Sequence, residues 1–250
     1  MNRDIRLNSR LTIPKPYEAS VAGTFITFEG IDGSGKSTQL RLLASFLRLS
    51  GCEVVITREP GGTPLGVRLR AALLDSQEEV DPLTELLVFA ADRAQHVRRF
   101  LHPALQSGRI VLSDRYADAT AAYQGAGRGF SQNLIAEIVT LATEGLKPEL
   151  TFLFDLPVSD CANRTRRRSK GKNKGDRLDA ETTEFHMRVR EAYLRIAAEE
   201  PERVKVIDSS GPVEQTHARV KEIVVPFLKG RGELVSLATN PAAAKSRTGS

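Results

Sequence analysis

An α/β fold with a doubly wound, five-stranded parallel sheet and helices on both faces is predicted by three features of the sequence. Short apolar runs alternate with longer stretches of helical period. Those runs are apolar at successive positions, as strands covered on both faces require. The first of them ends in a glycine-rich turn that opens a helix.

Taken in order, the predicted strands are TFITFE at 24–29, EVVIT at 53–57, RIVLSD at 109–114, LTFLFDL at 150–156 and RVKVID at 203–208. Between the first two, Leu40, Leu43 and Leu47 fall at i, i+3 and i+7 and predict a helix with one buried stripe. Asp81 followed by Pro82 supplies a capping side chain and a proline suited to the first helical position, and Leu83, Leu86, Leu87 and Ala90 continue that helix. Residues 1–22, with Pro14 and Pro16 and no sustained period, are expected to form a flexible N-terminal arm. Residues 232–250 are expected to be a flexible C-terminal tail, which leaves one domain at 23–231. Glycine and lysine concentrate at 170–175 and mark a mobile loop inside that domain.

No apolar run approaches the roughly 18 residues that span a bilayer, so a soluble, cytoplasmic protein without a membrane partner is expected. Asp4 and Glu18 weigh against a transit peptide in the N-terminal arm. The net charge of +5 is concentrated, because eight of the fourteen residues from Arg164 to Arg177 are basic. That cluster would attract a polyanion, but neither an aromatic RNA-binding signature nor zinc-finger spacing accompanies it, so a nucleic-acid role is not favoured. Cys52 and Cys161 lie far apart and are expected to be buried free thiols. His96, His102, His186 and His217 lack metal-ligand spacing and receive no role.

Residues 30–37, Gly30-Ile31-Asp32-Gly33-Ser34-Gly35-Lys36-Ser37, match GxxxxGK[ST] between a strand and a helix, the context that this phosphate-binding loop demands. The fold is therefore expected to be that of the P-loop NTPases, with ATP held by residues 30–37 and Thr38. The glycines let backbone N–H groups converge on phosphate oxygens, and the helix N-terminus adds a favourable field. Lys36 can reach the β- and γ-phosphates, and the Ser37 hydroxyl can ligate Mg²⁺. Asn173-Lys174-Gly175-Asp176 spells the guanine-reading NKxD, but it sits in a basic loop rather than after a strand, and is read as chance.

The second and third strands end in Arg58-Glu59 and Asp114-Arg115, at the sheet edge where open α/β folds bind ligands. Asp114 can hold Mg²⁺, directly or through water, and Arg115 can clamp a phosphate with two donors. Two such pairs beside a P-loop point to a second phosphate site. Phe89 and Arg93, four residues apart, share a helix face.

These segments together resemble the thymidylate kinases of bacterial type, over nearly everything from Thr24 to Leu228. The resemblance is carried by FEGIDGSGKSTQ at 28–39, TREPGGT at 57–63, FAADR at 89–93, DRYADATAAYQGAGRG at 114–129, DRLD at 176–179 and FHMRVREAYLRIA at 185–197. It implies ATP-dependent phosphorylation of dTMP to dTDP with Mg²⁺, by a homodimer. It further implies that Phe89 stacks on thymine, that Arg93 donates to the base edge, and that Arg58 and Arg115 face the acceptor phosphate. Asp32 would accept from the sugar 3′-hydroxyl, Tyr123 would pack near C2′, and Thr120 and Gln124, on what reads as a glycine-rich surface loop, would be polar contacts to the base.

Phosphoryl transfer needs positioning and charge stabilisation more than covalent chemistry, so an arginine brought over the γ-phosphate is worth orders of magnitude in rate. Some members of the family carry that arginine in the P-loop, where this chain has Gly33. The resemblance therefore assigns it to a lid at about 164–178. There Arg168 matches best, and SKGKNKG before Asp176 is longer and more basic than usual, which leaves Arg166, Arg167 and Arg168 as alternatives.

Overall fold

The computed structural model describes residues 22–76, 78–169, 177, 178 and 180–234, with the side chains of 168 and 169 excepted. Nearly all of the predicted arm and of the predicted tail, the NKxD segment and the predicted mobile loop at 170–175 lie outside the described residues.

Five parallel strands form the sheet: β1 (Phe25–Glu29), β2 (Val54–Arg58), β3 (Ile110–Asp114), β4 (Leu150–Asp155) and β5 (Val204–Asp208), in the order β2-β3-β1-β4-β5. All five were predicted, each within about a residue of its observed ends. Helices α1 (Lys36–Leu49) and α9 (Val213–Gly230) cover one face, where Ile26 and Phe28 meet Leu40, Leu43, Leu47, Val220, Val224 and Leu228. The alternate residues of β1 point the other way. Thr27 pairs its hydroxyl with Thr151 at 2.7 Å, and Glu29 ends the strand fully buried.

That second face carries α2 (Pro64–Leu74), α3 (Pro82–His96), α4 (His102–Gln106), α5 (Ala117–Thr120), α6 (Gln132–Thr143), α7 (Val158–Ser169) and α8 (Thr183–Glu199) in the connections that cross it or flank it. The expectation that every strand is covered on both faces fails at the two edges. Ile56 on β2 and Val206 on β5 are exposed, because an edge strand has a neighbour on one side only. The Asp81 carboxylate caps α3 by accepting from the N–H groups of Leu83 and Thr84, as predicted. Leu83 and Leu87 extend the apolar pattern of α3 but lie exposed, while Leu86 is fully buried.

Two π-helical turns interrupt this layer. Val97–Leu101 follows α3, and Ala121–Gly127 follows α5. The second is where a glycine-rich surface loop was read from the sequence. It is a wound segment that buries Tyr123 and Gln124. Such turns recur beside functional sites because they re-aim side chains without ending the helix. No helix among the described residues is long and apolar enough to cross a membrane.

Candidate active site

The phosphate loop turns directly off β1. Gly30, Gly33 and Gly35 have φ of 131°, 90° and 100°, a region that favours glycine, and Gly35 stands at the N-cap of α1. Gly33 meets a second demand. A Cβ there would lie 2.4 Å from the Cys161 carbonyl oxygen, so α7 is packed straight onto the loop at the position where a P-loop arginine would start. Lys36 is buried with its Nζ donating to the Ile31 carbonyl at 3.1 Å and 3.5 Å from Asp32 Oδ1. The Ser37 hydroxyl donates to Asp114 Oδ2 at 2.5 Å. A hydroxyl and a carboxylate facing each other at the mouth of the loop are the hard oxygen donors that Mg²⁺ takes.

Arg115 links this loop to Tyr123 and Tyr193. It is a non-glycine residue at φ 74°, a backbone conformation that costs of order 1–3 kcal/mol and is held by its surroundings. Its guanidinium donates to Asp32 Oδ2 at 2.8 Å, the Gly30 carbonyl at 3.1 Å, the Tyr123 hydroxyl at 3.0 Å and the Tyr193 hydroxyl at 3.2 Å. The Tyr193 hydroxyl in turn donates to Glu29 Oε2 at 2.8 Å, and the Tyr116 N–H donates to Oε1 at 2.7 Å. Burial, helped by the charge of Asp118, pushes Glu29 up to about 8 against the opposing pull of Arg115.

One face of α3 packs and bonds beside Tyr123 and Thr120. Glu85, Phe89 and Arg93 recur every four residues along it. Phe89 is half-buried against the cluster that contains Ile31 and Tyr123. Arg93 is 3% exposed, which rules out a solvated charge. It donates to Glu59 Oε2 at 2.8 Å, Thr120 Oγ1 at 2.8 Å and the Tyr116 carbonyl at 2.9 Å. His96 extends the network, with Nδ1 2.8 Å from Glu59 Oε1 and Nε2 2.6 Å from the Thr57 hydroxyl. Burial pushes Glu59 up, but Arg93 and His96 outweigh it and hold the carboxyl below its ordinary value. Asp92, on the same helix, is raised to about 6 by burial and by the Glu59 charge.

Of the residues singled out by sequence, Lys36, Ser37, Asp114, Asp32 and Arg115 converge at the loop, while Arg93 bonds Thr120, Gln124 bonds Glu85, and Phe89 packs against the cluster that holds Tyr123. Arg58 is exposed at the end of β2, and its side chain makes no hydrogen bond or ion pair among the described residues. The lid arginines are less gathered. Arg164 donates to the Ser209 carbonyl at 2.9 Å, Arg166 and Arg167 are exposed on α7, and the Arg168 side chain lies outside the described residues. Cys161 is buried, its thiol pushed up to about 11 by burial, whereas Cys52 is only half-buried.

Sequence reading missed Glu29, Glu85, His96 and Tyr193. Each acts through a partner distant in the chain, and only the four-residue spacing of Glu85 with Phe89 and Arg93 was a usable signal.

A family model described as thymidylate kinase matches residues 28–220. A thymidylate kinase of Geotalea uraniireducens is 47% identical over 209 residues, covering 82% of this chain and 98% of the relative. One from Deinococcus radiodurans is 48% identical over 198 residues, covering 79% and 94%. The crystal structure of thymidylate kinase from Ehrlichia chaffeensis superposes with a TM-score of 0.65 at 36% identity, covering 81% of this chain and 98% of that one. With the P-loop geometry and these matches in agreement, the chain belongs to the thymidylate kinase family.

Proposed function

We propose that the protein transfers the γ-phosphoryl group of ATP to dTMP. An oxygen of the acceptor monophosphate bonds to the γ-phosphorus, the bond from that phosphorus to the β–γ bridging oxygen breaks, and ADP and dTDP leave. The observation that carries this reading is Arg115. One guanidinium is bonded both to the P-loop, at Asp32 and Gly30, and to the wall of the acceptor cleft, at Tyr123. A cation between two phosphate sites is what an in-line transfer between two anions needs.

In this reading residues 30–38 bind ATP. The loop N–H groups and Lys36 orient its phosphates, and the buried Ser34 hydroxyl, without a partner among the described residues, is a further donor for them. Ser37 and Asp114 would hold Mg²⁺, directly or through water, and the ion when bound neutralises phosphate charge. Arg58 and Arg115 receive the acceptor phosphate, and Asp32 accepts from the sugar 3′-hydroxyl. Phe89 stacks on the base, Arg93 and Gln124 address its edge, Thr120 fixes Arg93, and Tyr123 fills the space beside C2′. An arginine of the 166–168 stretch would close over the γ-phosphate. Arg168→Ala should then lower kcat far more than it weakens dTMP binding, and an unchanged kcat would move the role to Arg166 or Arg167.

A homodimer fits the exposed apolar side chains Leu65, Val67, Leu83, Leu87 and Leu141, which lie on α2, α3 and α6, where α3 packs against each of the other two. The activity is tested by ADP release with dTMP and with thymidine as acceptors. Turnover of dTMP but not thymidine is expected. Turnover of thymidine but not dTMP would instead indicate a nucleoside kinase.

A further inference from the structure

Glu85 is fully buried one helical turn before Phe89 and is absent from every role given above. It is nevertheless the most heavily bonded carboxylate of the cleft. Its Oε1 accepts from Gln124 Nε2 at 2.8 Å and from Arg128 Nε at 3.1 Å. Its Oε2 accepts from Arg128 NH2 at 3.0 Å and from Arg177, where the chain returns from the lid. Arg177 is itself fastened to the end of α2, through its Nε to the Leu73 carbonyl at 3.2 Å and its N–H to the Leu74 carbonyl at 3.3 Å. Burial pushes the Glu85 carboxyl up, but the hydrogen bonds from Arg128, Arg177 and Gln124 hold it below its ordinary value, so it is ionised near neutral pH.

An ionised carboxylate only accepts hydrogen bonds. Gln124 must therefore turn its NH₂ toward Glu85, and the amide oxygen, which accepts no hydrogen bond among the described residues, faces the other way. A carboxylate pinned by two arginines cannot rotate to allow the opposite orientation without breaking charge-assisted bonds in a buried site.

We propose that Glu85 is a specificity-determining positioning residue, which fixes the Gln124 amide so that its oxygen meets the acceptor base and selects a base whose ring N3 carries a proton. This rests on the reading of the cleft as the dTMP site. Thymine and uracil carry a proton at N3, and cytosine carries a lone pair there. A fixed amide oxygen accepts from the first two and repels the third. A site built to pair one polar pattern rejects its complement strongly because a buried group is left unpaired.

The test is calorimetric, with the full chain and three ligands: dTMP, dUMP and dCMP. The wild-type protein should bind dCMP far more weakly than dTMP. Glu85→Gln can donate as well as accept, so it frees the amide to turn over. In this variant the ratio of the dCMP to the dTMP dissociation constant should fall about tenfold, while the ratio of dUMP to dTMP stays within about twofold. A residue that merely supports the fold would weaken all three ligands in proportion, and that result, like an unchanged dCMP ratio, would overturn the proposal. If Glu85→Gln does not fold, Gln124→Leu removes the oriented amide and leaves the carboxylate with its arginines. The dCMP ratio must fall there too, and its persistence would equally overturn the proposal. Wild-type protein that binds dCMP as well as dTMP would instead overturn the dTMP reading itself.

Discussion

The phosphate loop and the wall proposed to receive the acceptor lie side by side but are assembled differently. From Gly30 to Ser37 the loop is one continuous stretch, shaped by backbone conformation and opened onto a helix N-terminus. The acceptor wall is made of side chains brought together from far apart: Arg93 meets Glu59 across 34 positions, Gln124 meets Glu85 across 39, and Arg177 meets Glu85 across 92. The loop offers a preset concavity that any triphosphate can use. The wall is a buried, charge-assisted network whose selectivity depends on every member being satisfied. Substitutions in the loop should therefore act on the rate of transfer, and substitutions in the wall on acceptor binding and on stability.

The largest expected effect is on the loop side. Lys36→Ala should lower kcat by about three orders of magnitude, since it removes a cation from developing phosphate charge, and leave the dTMP dissociation constant within a few-fold of wild type. Single-turnover kinetics and calorimetry measure the two quantities separately. A comparable loss of dTMP binding would erase the contrast between the regions.

Glu59→Ala is its counterpart on the wall. It leaves Arg93 buried with its carboxylate partner gone and His96 Nδ1 without its partner, and should cost about 3–5 kcal/mol of stability in urea unfolding. Acceptor binding should weaken with it, while ATP binding to the folded fraction persists.

Gly33→Ala probes a point where the loop touches α7. The added Cβ must displace the helix backbone at Cys161, so kcat should fall about tenfold with little change in dTMP affinity, through misplacement of the lid segment. The Cys161→Ala change, which alters no backbone contact, should leave the rate near wild type.

The smallest effect concerns Glu29, below the junction of the two regions. An unfolded carboxyl titrates near 4.5 and the folded one near 8, so between those values the folded protein keeps a proton that the unfolded chain has released. Stability contributed by this group is complete below about 4.5 and is lost as pH rises through about 8, with a slope of at most about 1.4 kcal/mol per pH unit. Glu29→Gln should flatten the fall of Tm across that window.

What the sequence revealed follows the same division. The P-loop was legible because its chemistry is local: the glycines, Lys36 and Ser37 stand at fixed offsets between a strand and a helix. The five strands were legible because each is a short apolar run bounded by polar turns. Phe89 and Arg93 were placed through their spacing and the family resemblance together. Their supports were not, because nothing in the segments around Glu59, His96 and Tyr193 shows that a carboxylate from β2 reaches α3 or that a tyrosine from α8 reaches Arg115. The glycines of Gly125 to Gly129 read as a surface loop, and only packing of Gly127 against Phe185 explains why the segment winds inward instead.

The most direct measurement follows the γ-phosphoryl group itself. ATP labelled at that position is incubated with the protein, Mg²⁺ and dTMP, and the products are separated. The label is expected in dTDP, with little inorganic phosphate and no stimulation by added DNA or RNA. Label released as inorganic phosphate at a rate indifferent to dTMP would contradict the account.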